Sequence, residues 1–189
     1  MKKLPFLITF LFLFSSSCAQ EDSYFQRVLN ADSESENWLL HGRTYDESRF
    51  SPLKDINDSN VQDLGLAWSF ETGTNRGHET TPIVVDGMMF ISAPWSVVFA
   101  LDPKTGEEIW SFDPKADKAW GRNACCDVVN RGVAVWEDQV IFATIDGRLI
   151  SLNKNSGKVN WDVLTIDKSK PYTITGAPRI IDGKIIIGN

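Results

Sequence analysis

Two adjacent cysteines, Cys125 and Cys126, are the residues whose type and spacing point most directly to chemistry. Joined to each other, they would close a small ring through one peptide bond, forcing that bond from relaxed geometry and leaving a stiff, flat platform. The alternatives are two free thiols or a share in a metal site. Both are poorly supported, because there is no C-x-x-C spacing and the only histidines are His41 and His78. Beyond the pair stands Arg131, in Asp127-Val128-Val129-Asn130-Arg131-Gly132. A planar guanidinium suits carboxylates, which it binds through paired charge-assisted hydrogen bonds. An arginine on a sheet is nevertheless more often a solvated surface charge. Two further polar groups stand just ahead of β-rich runs: Glu79 in His78-Glu79-Thr80-Thr81-Pro82, and Thr175 in Thr173-Ile174-Thr175-Gly176-Ala177-Pro178. In isolation each reads as an exposed loop residue.

The elements that would position these groups follow a repeat. Short β-rich runs cover Thr81 to Val85, Met88 to Ser92, Val97 to Leu101 and Glu108 to Phe112, with Asp86-Gly87 and Asp102 to Gly106 as turns. Aspartate-glycine between apolar runs predicts a tight hairpin, with positive φ at both central positions. The same order recurs in Val133 to Trp136, Gln139 to Thr144, Arg148 to Asn153 and Lys158 to Val163, with turns at Glu137-Asp138, Asp146-Gly147 and Lys154 to Gly157. Aligning the two units places Leu101 on Leu152, Gly106 on Gly157 and Trp110 on Trp161, a period of about fifty residues. Four antiparallel strands per unit at that spacing predict an all-β fold, a β-propeller of four-stranded blades. A third unit opens with Ala177 to Ile181, Asp182-Gly183 and Lys184 to Ile187. In a propeller the entrances to the inner strands converge on the axis, so Glu79, the cysteine pair, Arg131 and Thr175 would ring one pocket.

Blades bury their faces only against neighbouring blades, so about two and a half of them cannot close a ring. The sequence therefore reads as the N-terminal part of a longer one. Its expected divisions are a signal peptide over residues 1–19, a polar linker or short surface helix with little to bury over 20–36, a lead-in segment over 37–80, blades over 81–112 and 132–163, and the start of a third over 175–189.

Lys2 and Lys3 followed by the apolar run Leu4 to Phe14 mark that signal, which is too short to span a bilayer comfortably. Cleavage after Ala19 fits the small residues Ser17 and Ala19; lipoprotein processing at Cys18 competes, with Ser15 where an aliphatic residue is usual. Either route takes the protein to the periplasm, where two neighbouring thiols do not usually stay reduced. The net charge of -6, with no cluster of Lys and Arg, argues against a nucleic acid partner.

Ala100 to Trp110, A-L-D-P-K-T-G-E-E-I-W, resembles the tryptophan-docking repeat of the quinoprotein dehydrogenases, and Ser151 to Trp161 is a looser copy. Asn37 to Leu53, with Asn57 to Leu64 and Ala67-Trp68 after it, resembles the segment that leads into the propeller of the methanol and ethanol dehydrogenase branch. The chain is thus similar to the pyrroloquinoline quinone (PQQ)-dependent alcohol dehydrogenases, whose propeller has eight blades. The resemblance implies that a Cys125–Cys126 disulfide lies against one face of the quinone. It implies equally that Arg131 binds a cofactor carboxylate, Glu79 hydrogen-bonds the quinone edge and Thr175 donates a hydroxyl. The expected reaction is oxidation of a small primary alcohol to its aldehyde, with a Ca²⁺ or lanthanide ion beside the quinone and a c-type cytochrome as electron acceptor. None of the family's metal ligands, nor its catalytic aspartate, falls on a residue of this sequence. This polypeptide alone is therefore expected to be inactive.

Two rival readings are weaker. A propeller scaffold lipoprotein of the outer-membrane assembly type shares the docking repeat, but has no use for the cysteine pair followed by Arg131. A membrane-bound sugar dehydrogenase of the same superfamily would usually lack adjacent cysteines and begin with several transmembrane helices.

Overall fold

A computed structural model describes residues 24–189. The expected signal peptide and the lipidation candidate Cys18 lie outside the described residues. Strands β1 (Ile83–Val85), β2 (Met88–Ala93), β3 (Val97–Leu101) and β4 (Glu108–Phe112) form one antiparallel sheet in chain order. Strands β5 (Ala134–Trp136), β6 (Gln139–Ala143), β7 (Arg148–Asn153) and β8 (Val159–Leu164) form a second with the same order. A two-stranded sheet of β9 (Arg179–Ile181) and β10 (Lys184–Ile186) begins the third.

Two of the aspartate-glycine hairpins adopt the expected primed turn. Asp86 and Gly87 have φ of 53° and 75°, and Asp182 and Gly183 have φ of 48° and 69°. The β6–β7 corner departs from expectation, since only Gly147 takes a positive φ there, of 85°. Its neighbour Asp146 is buried and makes the corner with its carboxylate, accepting from Thr144 Oγ1 at 2.5 Å and from the Asp117 amide at 3.1 Å. A buried carboxylate must be satisfied by such donors, and that requirement outweighs the turn preference of the dipeptide.

The first three strands of each blade carry the core. Ile83, Val85, Phe90 and Val98 of the first blade pack with Val133, Val135, Val140, Phe142, Ile150 and Leu152 around the second, in one buried cluster. Indole side chains fasten two of the joints along the chain, whereas Trp161 donates to Gln139 Oε1 within its own blade at 3.3 Å. Trp110 leaves β4 and donates from its ring nitrogen to Lys154 O at 2.9 Å, with its ring covering Gly157. Trp68, ahead of the first blade, repeats the contact: it donates to Pro103 O at 3.1 Å and covers Gly106.

The segment before the lead-in is better packed than a polar linker. Helix α1 (Tyr24–Leu29) buries Tyr24 and Val28 in the main core, and Tyr24 meets Trp136 with ring centroids 5.3 Å apart. Arg27 on its outer face pairs with Glu34 at 2.6 Å and with Asp86 at 2.7 Å, while Lys154 reaches the other oxygen of Asp86 at 2.5 Å. Burial alone would raise the pKa of Asp86, but hydrogen bonds from Arg27 and Lys154 outweigh it and hold the carboxyl below its ordinary value of 3.8. The hydrogen bond from Arg27 likewise lowers Glu34 below 4.5. Carboxylates depressed by folding stabilise the docked helix above those ordinary values, and that contribution is lost as pH falls through the lower folded values. Amide protection over residues 24–29 should therefore fall as pH drops below about 4, as read by hydrogen exchange. Asp86→Asn, which retains the left-handed turn, should flatten much of that dependence.

Candidate functional site

The site is built where the blade entrances meet. Thr81, just ahead of β1, forms a parallel bridge with Gly132, just ahead of β5, and the Thr81 amide donates to Arg131 O at 3.2 Å. The Arg131 amide in turn donates to Thr175 O at 2.9 Å. Three segments from three successive blades thus run side by side, joined through backbone. Gly132 permits the approach: its φ is 132°, and a Cβ there would fall 3.2 Å from Thr81 O and 3.6 Å from the Ala177 side chain. A side chain would force the entrances apart.

On this frame Arg131 faces both neighbours. Its Nη2 lies 2.8 Å from Glu79 Oε2, and its Nη1 donates to Thr175 Oγ1 at 2.6 Å. The Arg131 side chain is 40% exposed and the Glu79 side chain 42% exposed, so the pair is open to solvent. Two of the guanidinium's donors are engaged, leaving others for a ligand, and the Thr175 hydroxyl accepts one hydrogen bond while keeping its own O–H to donate.

Cys125 and Cys126 are exposed and carried as free thiols, so the expected bond between them is not formed in this structure. The Cys126 thiol is instead pushed up in pKa, chiefly by its hydrogen bond with Cys125. The nearby charges of Arg131 and Glu79 act on it in opposite directions, the first lowering and the second raising. An open pair avoids straining the intervening peptide, which the ring would require. All five residues singled out from sequence therefore share one neighbourhood.

Three residues that sequence reasoning passed over hold the frame. Asn130 is buried; its side-chain amide donates to Ala143 O at 2.8 Å, and its oxygen accepts from the Gly132 amide at 3.1 Å. Ser92 donates its hydroxyl to Asn130 O at 3.3 Å, and Thr80 Oγ1 accepts from the Ser92 amide at 3.0 Å. The available signal was positional: Thr80 and Asn130 each stand immediately before a site-lining stretch that leads into an inner strand.

Residues 38–189 match the family described as PQQ: glucose/ethanol/alcohol dehydrogenase, β-propeller domain. The chain belongs to that family. As a member of the PQQ dehydrogenase propeller family it is 52% identical over 164 residues to the quinohemoprotein alcohol dehydrogenase ADH-IIG of Pseudomonas putida, covering 86% of this chain and 23% of that protein. The solved structure of that enzyme superposes with a TM-score of 0.85, over 87% of this chain and 24% of the other. The 1-butanol dehydrogenase (cytochrome c) of Thauera butanivorans is 52% identical over 153 residues, 80% of this chain and 22% of the relative. A europium-containing methanol dehydrogenase is 37% identical with a TM-score of 0.81, over 86% of this chain and 29% of the other. The chain thus spans about a quarter of the length of these PQQ dehydrogenases.

The donor set suits the group after which the family is named. PQQ is a flat tricarboxylate, and an exposed guanidinium with free donors beside a hydroxyl is the chemistry its carboxylates need. Glu79, held 2.8 Å from that guanidinium, adds a hydrogen-bond acceptor to the set.

Proposed function

We propose that these residues form one wall of a PQQ site in an exported dehydrogenase that oxidises a primary alcohol to the aldehyde. The observation that carries this reading is the single guanidinium of Arg131 bonded to Glu79 on one side and Thr175 on the other, across three blade entrances. Arg131 would hold a carboxylate of the cofactor with its remaining donors, and Thr175 would add its hydroxyl proton. Glu79 would accept from the quinone edge. Cys125 and Cys126, oxidised to their disulfide in the periplasm, would give the flat face of the site a rigid support.

Bound there, PQQ would supply a carbonyl carbon able to take hydride from the alcohol and to pass the electrons on singly, for which we propose a c-type cytochrome as acceptor. This chain's residues contribute binding and orientation. Among the described residues no group of three or more His, Cys, Asp or Glu is placed to hold a metal ion, and we assign neither the Ca²⁺ or lanthanide ligands nor the catalytic aspartate to any of them.

The test is titration of the intact apoprotein with PQQ. Saturable binding at one quinone per chain, followed by alcohol-dependent dye reduction once Ca²⁺ or a lanthanide is added, is expected. Absence of quinone binding under both metals would sink the reading.

A further inference from the structure

The segment carrying the cysteine pair is gripped at both ends by residues that the site itself does not use. Trp95 and Ser96, between β2 and β3, both take left-handed backbone, with φ of 65° and 62°. For a residue as bulky as tryptophan such a conformation persists only where its surroundings hold it. Here they do. The Trp95 amide donates to Val128 O at 2.9 Å, two residues past Cys126. Its ring presses on the 3-10 turn Lys118–Asn123 so closely that a Cβ on Gly121 would lie 2.8 Å from the ring and 3.0 Å from Val128.

Two cations flank that ring, Lys118 Nζ at 3.9 Å from the centroid and the Arg76 guanidinium carbon at 5.8 Å. Arg76 also pairs with Asp127, the residue directly after Cys126, which is itself left-handed at φ 67°. The Cys125–Cys126 segment thus runs between an indole pinned under one turn and a carboxylate pinned by an arginine. Both anchors, Trp95 and Arg76, belong to the first blade and its approach, while the segment leads into the second.

We propose that Arg76, Trp95 and Asp127 are positioning residues: they clamp the cysteine pair beside Glu79, Arg131 and Thr175. The proposal rests on the PQQ-site reading and adds to it the parts that set where the sulfur platform sits. A ligand stacked on that platform gains from the clamp only if the pair is held at one height, so loosening either anchor should weaken quinone binding without touching the quinone's own hydrogen-bonding groups.

The experiment uses the intact apoprotein with PQQ as the probe. Arg76→Gln and Asp127→Asn should each raise the quinone dissociation constant about fivefold to tenfold, and the double variant should be no worse than either single, the coupling expected of two ends of one contact. Asparagine at 127 retains the left-handed backbone, so a folding defect is not built into the test. Arg76→Lys should stay within about twofold of the parent, because Arg76 reaches Asp127 through a single oxygen and the Trp95 ring at long range, contacts that a point charge can keep. Alkylation of the two thiols after reduction should quicken in the Gln and Asn variants and stay at the parental rate in the Lys variant. If both singles bind quinone and alkylate like the parent, the clamp is overturned while the site reading stands. If the parent protein takes up no quinone, the site reading falls, and alkylation alone decides the clamp: equal rates in all variants reject it, faster rates confined to Gln and Asn support it.

Discussion

Arg131→Ala in the intact protein is expected to weaken PQQ binding by about a hundredfold or more, equivalent to about 2.7 kcal/mol. Two losses combine. The variant removes the charge-assisted bonds available to a cofactor carboxylate, and it leaves Glu79 without the guanidinium 2.8 Å away that now offsets its charge. An unpaired carboxylate facing a polyanionic ligand adds repulsion to the missing attraction. The backbone joints are untouched by the change, because the Arg131 amide and carbonyl, which link Thr175 and Thr81, remain in an alanine. Folding should therefore survive, and circular dichroism checks that it does. Arg131→Lys, with a point charge in place of a fork, should recover part of the affinity, leaving a loss of about tenfold. Absorbance titration of apoprotein with quinone reads all three proteins. Affinity within about twofold of the parent in Arg131→Ala would remove Arg131 from the site.

Gly157→Ala should cost the intact protein about 3 kcal/mol of stability. Gly157 has φ of 66°, and an added Cβ would stand 2.8 Å from two ring atoms of Trp110. Left-handed backbone penalises the methyl directly, and the ring cannot retreat easily: Trp110 is 9% exposed, bonded to Lys154 O and in tilted contact with Phe90 at 5.8 Å between centroids. Displacing the indole would break its hydrogen bond and open the joint between two blades. Gly87→Ala is the matched control, since Gly87 also has a positive φ, of 75°, and nothing lies within 4 Å of a Cβ there. It should lose only the backbone part, about 1 kcal/mol. Thermal unfolding of the two variants side by side separates a steric dock from a general intolerance of glycine replacement.

The strands were legible because their signals are local. Alternating apolar runs bounded by turn signals placed β3, β4 and β7 at their observed limits and the other strands within about two residues of theirs. Trp110 was legible as a dock because its whole turn motif repeats, whereas Trp68, with the same role, stands in a stretch with no repeated partner in the sequence. A short surface helix was readable before the lead-in, but its burial was hidden: Tyr24 and Val28 are four residues apart on one face, and six residues are too few to display a period that would mark that face as buried. Glu79, Arg131 and Thr175 could be picked out by their places ahead of inner strands. Their mutual bonds could not, since those depend on how closely two sheets approach, a distance fixed by Gly132 and by the buried amide of Asn130. The oxidation state of Cys125 and Cys126 is set by the compartment and not by the fold, which is why sequence reading expects a bond where the structure has two thiols.

The short run of backbone joining Thr81 to Gly132 and Arg131 to Thr175 has a mechanical implication. Glu79, Arg131 and Thr175 each hang within two residues of a junction, like teeth cut beside the hinges of a folding screen. Tilting one panel against its neighbour by a few degrees would drag those teeth out of register together. Substitutions on the rim that alter panel angle should thus be felt at the hub, so that the spacing of these three side chains is governed by the stiffness of the whole assembly more than by any one of them.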